Sequence, residues 1–223
     1  MRNVGIYVYD DVEVLDFAGP FEVFSTASRV FRRTEPGAEP PFEVFTVGAS
    51  RSPVSARGGL VVEPRYSFTD HPALNVLLVP GGVVTAELDR PRVIAWVAAR
   101  AATAELTASV CTGAFLLARA GLLKGKSATT HWEDVADLRA MAPATRVVPG
   151  VRWVEEGALI TSAGISAGLD MSLHIVARLA GRDLAVRTAR QMDYEWRDEG
   201  RAAPLPVAGP LGAPVQVRSE GQP

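Results

Sequence analysis

The chain of 223 residues carries a formal charge of −2, with 48% hydrophobic and 22% charged residues, the balance of a globular protein rather than of a fibre or a disordered chain. No surplus of Lys or Arg is available to displace counterions from a polyanion, which argues against nucleic acid as a partner. The apolar start is broken by Asp10, Asp11 and Glu13 and no other apolar run reaches bilayer length, so a cytoplasmic protein with no membrane contact is expected.

Residues 3–9, NVGIYVY, are β-branched and aromatic and stop at Asp10-Asp11, which predicts a buried first strand. A helix is predicted from Pro20, because Phe21, Phe24, Ala27 or Ser28, and Phe31 recur at helical spacing and proline suits a first helical position. Residues 42–48 read as a second strand, and the stretch PVSARGGLVVEPRYSF as a hairpin or pair of edge strands turning at Gly58-Gly59. NVLLVPGG, residues 75–82, is an apolar strand ending in proline and two glycines, followed by a helix from about Pro91.

ELTASVC is the next strand and runs directly into TGAFLLARAGLL, a short buried helix closed by Gly121. HWEDVADLRAM predicts a further helix, VRWVEEGALITSAG two strands around a Glu-Glu-Gly turn, and ISAGLDMSLHIVARLAG an amphipathic helix with Ile165, Leu169, Leu173 and Val176 on one face. A last helix is expected from Arg182 towards Trp196. Alternating strands and helices imply an α/β fold with a mostly parallel, doubly wound sheet. The expected organisation is one domain over 1–197 and a Pro/Gly-rich tail over 198–223.

In such sheets ligands gather where strands end and helices begin. Three junctions here carry chemistry: the first strand leads to Asp16, the LLVP strand to Gly81-Gly82, and the LTASV strand to Cys111, the single cysteine. Cys111, followed by Thr112 and Gly113, has the pattern of a nucleophile elbow. The N–H groups of the following helix turn favour a negative sulfur, which predicts a lowered thiol pKa. Backbone donors at Gly82 or Val83 and at Thr112 are candidates for an oxyanion hole. A lone cysteine is also a common core residue, but the elbow context favours the nucleophile.

Asp16 reads either as a helix cap or as a proton carrier whose apolar surroundings raise its pKa. His131 is a candidate base and equally a helix cap; it and Ile165 are accessory candidates. His71 reads as a surface loop residue and His174 as a packed helical one, while Trp132 and Trp153 suit core or subunit contact. Three histidines without short spacing and one cysteine make no metal site, and Gly81-Gly82 lacks the pattern of a phosphate loop, so no metal or cofactor is expected.

The PGG after the third strand, SVCTGAFLLARAGLLKGKSATTHW and SAGISAGLDMSL together resemble the ThiJ/PfpI family of the class I glutamine amidotransferase-like superfamily, over the chain up to about Tyr194. Within it the first-loop aspartate, the VCTG elbow and the TTHW segment are most similar to isocyanide hydratases. The resemblance implies a flavodoxin-like three-layer sandwich, usually a homodimer, with Cys111 as nucleophile, Asp16 as its acid/base partner and Thr112 in the pocket. From their place at the strand ends, Gly81, Gly82, Val83, Thr112 and Gly113 are the candidates for contact with substrate.

The implied reaction is hydration of a small isocyanide to an N-formamide through a Cys111 thioimidate. Protease-like members carry histidine after the cysteine, where this chain has Thr112, so a Cys-His peptidase dyad has no support. Glyoxalase and deglycase-like members usually have glutamate in the first loop, where this chain has Asp16, which weakens the case for an aldehyde substrate without excluding it. A glyoxalase-type enzyme and a non-catalytic small-molecule or redox sensor remain the alternatives. The same domain serves as a sensor ahead of paired helix-turn-helix modules in AraC-like regulators, but such a module takes on the order of 100 residues, more than the tail is expected to supply.

Overall fold

The computed structural model describes residues 1–198; most of the expected tail, from 199 onward, lies outside the described residues. The order of elements is β1 (Arg2–Tyr7), α1 (Val14–Thr34), β2 (Phe42–Gly48), β3 (Val54–Ser55), β4 (Val61–Val62), β5 (Tyr66–Ser67), β6 (Val76–Val79), α2 (Thr85–Leu88), α3 (Pro91–Ala101), β7 (Leu106–Val110) and α4 (Gly113–Arg119). There follow β8 (Ser127–Ala128), α5 (Val135–Met141), β9 (Arg146–Val147), β10 (Trp153–Glu156), β11 (Leu159–Ser162), α6 (Ala167–Ala180) and α7 (Arg182–Gln191).

Seven strands form one sheet in the order β10-β11-β7-β6-β1-β2-β5. All neighbours are parallel except β10, which returns antiparallel on β11. The residues of β6 and β7 are buried throughout, as expected of central parallel strands covered on both faces. Helices α1, α6 and α7 pack together on one side and α2 to α5 on the other, giving the three-layer α/β sandwich. Expected positions for β1, β2, β6, β7, α3, α4 and the β10–β11 turn agree with the structure, as does the small β3–β4 hairpin.

Other features differ; among them, α6 begins at Ala167, leaving Ile165, expected on its apolar face, in the preceding loop at a positive φ. Helix α1 begins at Val14, not Pro20, and holds Pro20 inside it; the proline lacks an N–H for the Asp16 carbonyl, yet tertiary packing of Phe17, Val23 and Phe24 carries the helix through. The last helix stops at Gln191, and the chain then runs extended over α6, where Asp170 accepts from the Tyr194 hydroxyl at 3.1 Å and the Arg197 N–H at 2.9 Å. The parallel β8–β9 pair is too short for any periodicity to announce it.

The sheet order positions the site. From β1 the chain proceeds to β2 on one side, while β6, β7 and β11 extend the sheet on the other. The carboxyl ends of β1, β6 and β7 therefore lie side by side at the point where the winding reverses, the place where such sheets open a crevice.

Candidate active site

Between β7 and α4 the backbone reverses at Cys111, whose φ of 56° lies in the left-handed region. A non-glycine residue there carries strain that surrounding contacts must hold. Those contacts are present: the Cys111 N–H donates to the Ser162 and Ala163 carbonyls at 3.1 and 3.3 Å, and its carbonyl accepts the Thr130 hydroxyl at 2.9 Å. Gly113 is demanded by the turn, because a Cβ there would lie 2.1 Å from the Val79 carbonyl oxygen. The elbow read from the sequence is thus a physical one, and Thr130, which the sequence reading passed over, is part of its brace.

Asp16 is in the first turn of α1 and wholly buried. Its side chain does not cap the helix; Oδ2 instead accepts the Gly81 N–H at 3.0 Å. Oδ1 is buried without an aligned hydrogen-bond partner, and the Cys111 thiol is the neighbouring side chain on that side of the balance that favours the carboxylate. Gly81 lies between Asp16 and Thr112: a Cβ on it would come within 2.6 Å of Thr112 and 2.9 Å of Asp16 Oδ2.

The electrostatics reverse one expectation. Burial pushes the Cys111 thiol up to about 12, and the Asp16 charge adds to it, outweighing the backbone and side-chain hydrogen bonds from Thr112 that act the other way. Helix α4 has only seven residues and Cys111 is buried, so desolvation dominates over the donors at the helix start. The thiol is neutral at rest. Asp16 is raised to about 7, first by burial, with the Gly81 N–H opposing. Of the two buried groups, Asp16 is therefore the one that gives up its proton first as pH rises.

The expected donors are also differently disposed. The Gly82 N–H donates to Thr112 Oγ1 at 2.9 Å, and that hydroxyl returns a hydrogen bond to the Gly82 carbonyl. The Val83 N–H donates to the Asp11 carbonyl at 3.1 Å. Both N–H groups hold the loop to its neighbours instead of facing an open space: that of Gly82 meets Thr112, and that of Val83 meets the Asp11 segment that packs close against Gly82. Thr112 acts on the sulfur as well, its backbone and hydroxyl groups opposing the upward shift of the thiol.

His131 caps the short turn at 132–134, its Nδ1 accepting the Glu133 N–H at 3.3 Å, and its ring fills the space beside Gly164. Ile165, at a positive φ of 48°, stands exposed on the same loop whose carbonyls accept the Cys111 N–H. Trp132 is exposed, whereas Trp153 is core. His71 accepts the Trp96 N–H at 3.1 Å, and His174 pairs with Glu155 at 2.5 Å. A cleft of about 420 Å³ between α1 and α7 is lined by Arg33, Arg187 and Arg190, away from the cysteine. Among the described residues no cluster of three acidic, His or Cys side chains could hold a metal, and no helix is long and apolar enough to cross a membrane.

The sequence model of the DJ-1/PfpI family matches residues 2–178. The chain belongs to the DJ-1/PfpI family. Its relatives in that family and fold include several kinds of protein. Isonitrile hydratase of Pseudomonas putida is 32% identical over 222 residues, 99% of this DJ-1/PfpI chain and 88% of the hydratase. The HTH-type transcriptional regulator GbdR of Pseudomonas aeruginosa is 26% identical over 212 residues, and the chain spans only 56% of that regulator. A THiJ/PfpI family protein from Pseudomonas syringae has a TM-score of 0.76 at 29% identity, covering 93% of this chain and 79% of that one. DJ-1beta of Drosophila melanogaster shares the fold, with a TM-score of 0.72 at 20% identity over 87% and 99% of the two chains.

Proposed function

We propose that the protein is a cysteine-dependent hydratase that converts small isocyanides and water into N-formamides. The observation that carries this reading is the pairing of a strained elbow thiol, Cys111, with a buried carboxyl, Asp16, raised to about 7. The likeness to isonitrile hydratase over nearly the whole chain supports it.

An isocyanide carbon accepts a nucleophile only as it gains a proton, so a thiol and a carboxylate that together hold one proton match the chemistry. As Cys111 Sγ bonds to the terminal carbon, its proton passes to Asp16 and from there to the same carbon, leaving a thioimidate and a carboxylate. Asp16 then takes a proton from water as the water oxygen attacks that carbon, and passes a proton to nitrogen. Collapse of the adduct breaks the C–S bond, releases the formamide and returns the hydroxyl proton through Asp16 to sulfur. The first addition builds no charge on a substrate oxygen, which agrees with a site whose Gly82 and Val83 N–H groups are engaged within the protein. A dicarbonyl substrate would need such a donor at once. The exposed apolar side chains of Val83, Trp132 and Ile165 on the flanking loops suit an apolar substituent on the isocyanide nitrogen.

The test is formamide production from an aryl isocyanide, beside lactate production from methylglyoxal under the same conditions. Cys111→Ala is expected to lose formamide production while remaining folded; retained turnover would refute the scheme. A second reading, ligand sensing without turnover, is favoured by the neutral, buried resting thiol and by the likeness to GbdR. It predicts isocyanide or other small-molecule binding with no product in any variant.

A further inference from the structure

Tyr9 stands just beyond the end of β1, 2% exposed, and its hydroxyl donates to the Pro80 carbonyl oxygen at 3.1 Å. The N–H of the same peptide group belongs to Gly81 and donates to Asp16 Oδ2 at 3.0 Å. Phenol, peptide and carboxyl are therefore linked in series through one planar, polarisable unit. Drawing electron density towards a carbonyl oxygen makes the N–H on the other side of the amide a stronger donor, and chains of this kind reinforce one another in a low-dielectric interior.

We propose that Tyr9 is a positioning residue for Asp16: by donating to the Pro80 carbonyl it fixes the Pro80–Gly81 peptide plane and strengthens the Gly81 N–H that stabilises the Asp16 carboxylate. Its consequence for turnover rests on the hydratase reading, but the effect on Asp16 does not.

The other groups acting on Asp16 come from separate elements. Glu13, ahead of α1, raises its pKa; Arg57, in the turn between β3 and β4, and the Cys111 thiol lower it. Arg57 is itself paired with Glu13 at 3.1 Å, so those two charges offset each other at the carboxyl. Tyr9 remains a donor throughout the working range, because burial and the neighbouring Asp16, Glu87 and Cys111 hold its phenol well above the usual value. Tyr7 supplies an internal control. Its ring lies 5.2 Å from that of Tyr9, yet its hydroxyl donates to Glu87 on α2 and not to the Pro80 peptide.

The experiment follows the Asp16 carboxyl directly, by carbon-13 NMR of aspartate-labelled protein from pH 5 to 9, with Asp16→Asn to assign the resonance. Tyr9→Phe keeps the ring and removes the donor; it is expected to move the Asp16 midpoint up by a few tenths of a unit, the scale of a weakening by about 10–30% of a hydrogen bond to a charged group. Tyr7→Phe is expected to leave it in place. Incorporating 3-fluorotyrosine, a stronger donor of nearly the same shape, into a Tyr7→Phe background is expected to move it down, which keeps the test alive if Tyr9→Phe fails to fold. An unmoved midpoint with Tyr9→Phe, equal movement with Tyr7→Phe, or an unmoved midpoint with the fluorinated residue would overturn the proposal. In the same variants the acid limb of kcat/KM for formamide production should follow the carboxyl. A carboxyl that shifts in a protein producing no formamide would overturn the hydratase reading and leave the Tyr9 linkage standing.

Discussion

Replacing Asp16 with asparagine should make the fold more stable, and increasingly so as pH rises. The carboxyl titrates at about 7 in the folded chain against an ordinary 3.8, so between these values the folded state keeps a proton that the unfolded state has released. Stability therefore falls as pH rises from about 4 to about 7, and is flat above. Each pH unit is worth about 1.4 kcal/mol, so the interval corresponds to about 4 kcal/mol as an upper bound. Asparagine has the same shape, its carbonyl can still accept the Gly81 N–H, and it never carries the charge. Urea unfolding of both proteins at pH 4, 6 and 8 is the assay. The two should be nearly equal at pH 4 and separate by about 2 to 4 kcal/mol at pH 8, with Asp16→Asn the more stable and catalytically impaired. Parallel stability curves would refute the claim that Asp16 is held protonated by its burial.

Formamide production should rise with pH through about 7 as the doubly protonated pair gives way to the single-proton form, and the limb should vanish in Asp16→Asn; rates of single turnover against pH would show it. Because the thiol is pushed up to about 12, iodoacetamide should alkylate the resting protein at pH 8 more slowly than a free cysteine, read by intact mass. Cys111→Gly should melt above Cys111→Ala, since the φ of 56° costs an alanine about 1 kcal/mol that glycine avoids; differential scanning calorimetry separates them. Arg152→Met should lower stability in urea by about 3 kcal/mol by leaving buried Asp170 without its counter-charge, because Arg152 and Asp170 form an ion pair with both side chains buried.

Much of this arrangement is legible in the sequence because it depends on local chemistry. A cysteine at the end of an apolar run, followed by threonine and glycine, encodes an elbow through steric need alone, and the strand-helix alternation brings three junctions to one rim. What escaped the sequence depends on approach in space. Pro20 looks like a helix start, yet the packed face of α1 extends six residues before it. The direction of the Cys111 shift turns on burial and on the distance to a carboxyl nearly a hundred residues away in the chain, neither of which a strand-turn-helix pattern reports. The engagement of the Gly82 N–H by Thr112 and of the Val83 N–H by the Asp11 carbonyl follows from approaches between segments far apart in the chain. Tyr9 carried a faint signal, a second tyrosine spaced two residues beyond the first at a strand end, but nothing in that spacing names the carbonyl it meets.

The absent side chain of Gly81 has a practical corollary. Thr112 and Asp16 already occupy the place where even a methyl group would go, so the floor of the crevice offers no room for redesign: enlarging residue 81 would drive acid and threonine apart together. Any variation in side-chain size has to be made at exposed positions such as Val83 and Trp132, where a larger group meets solvent and not the buried Asp16.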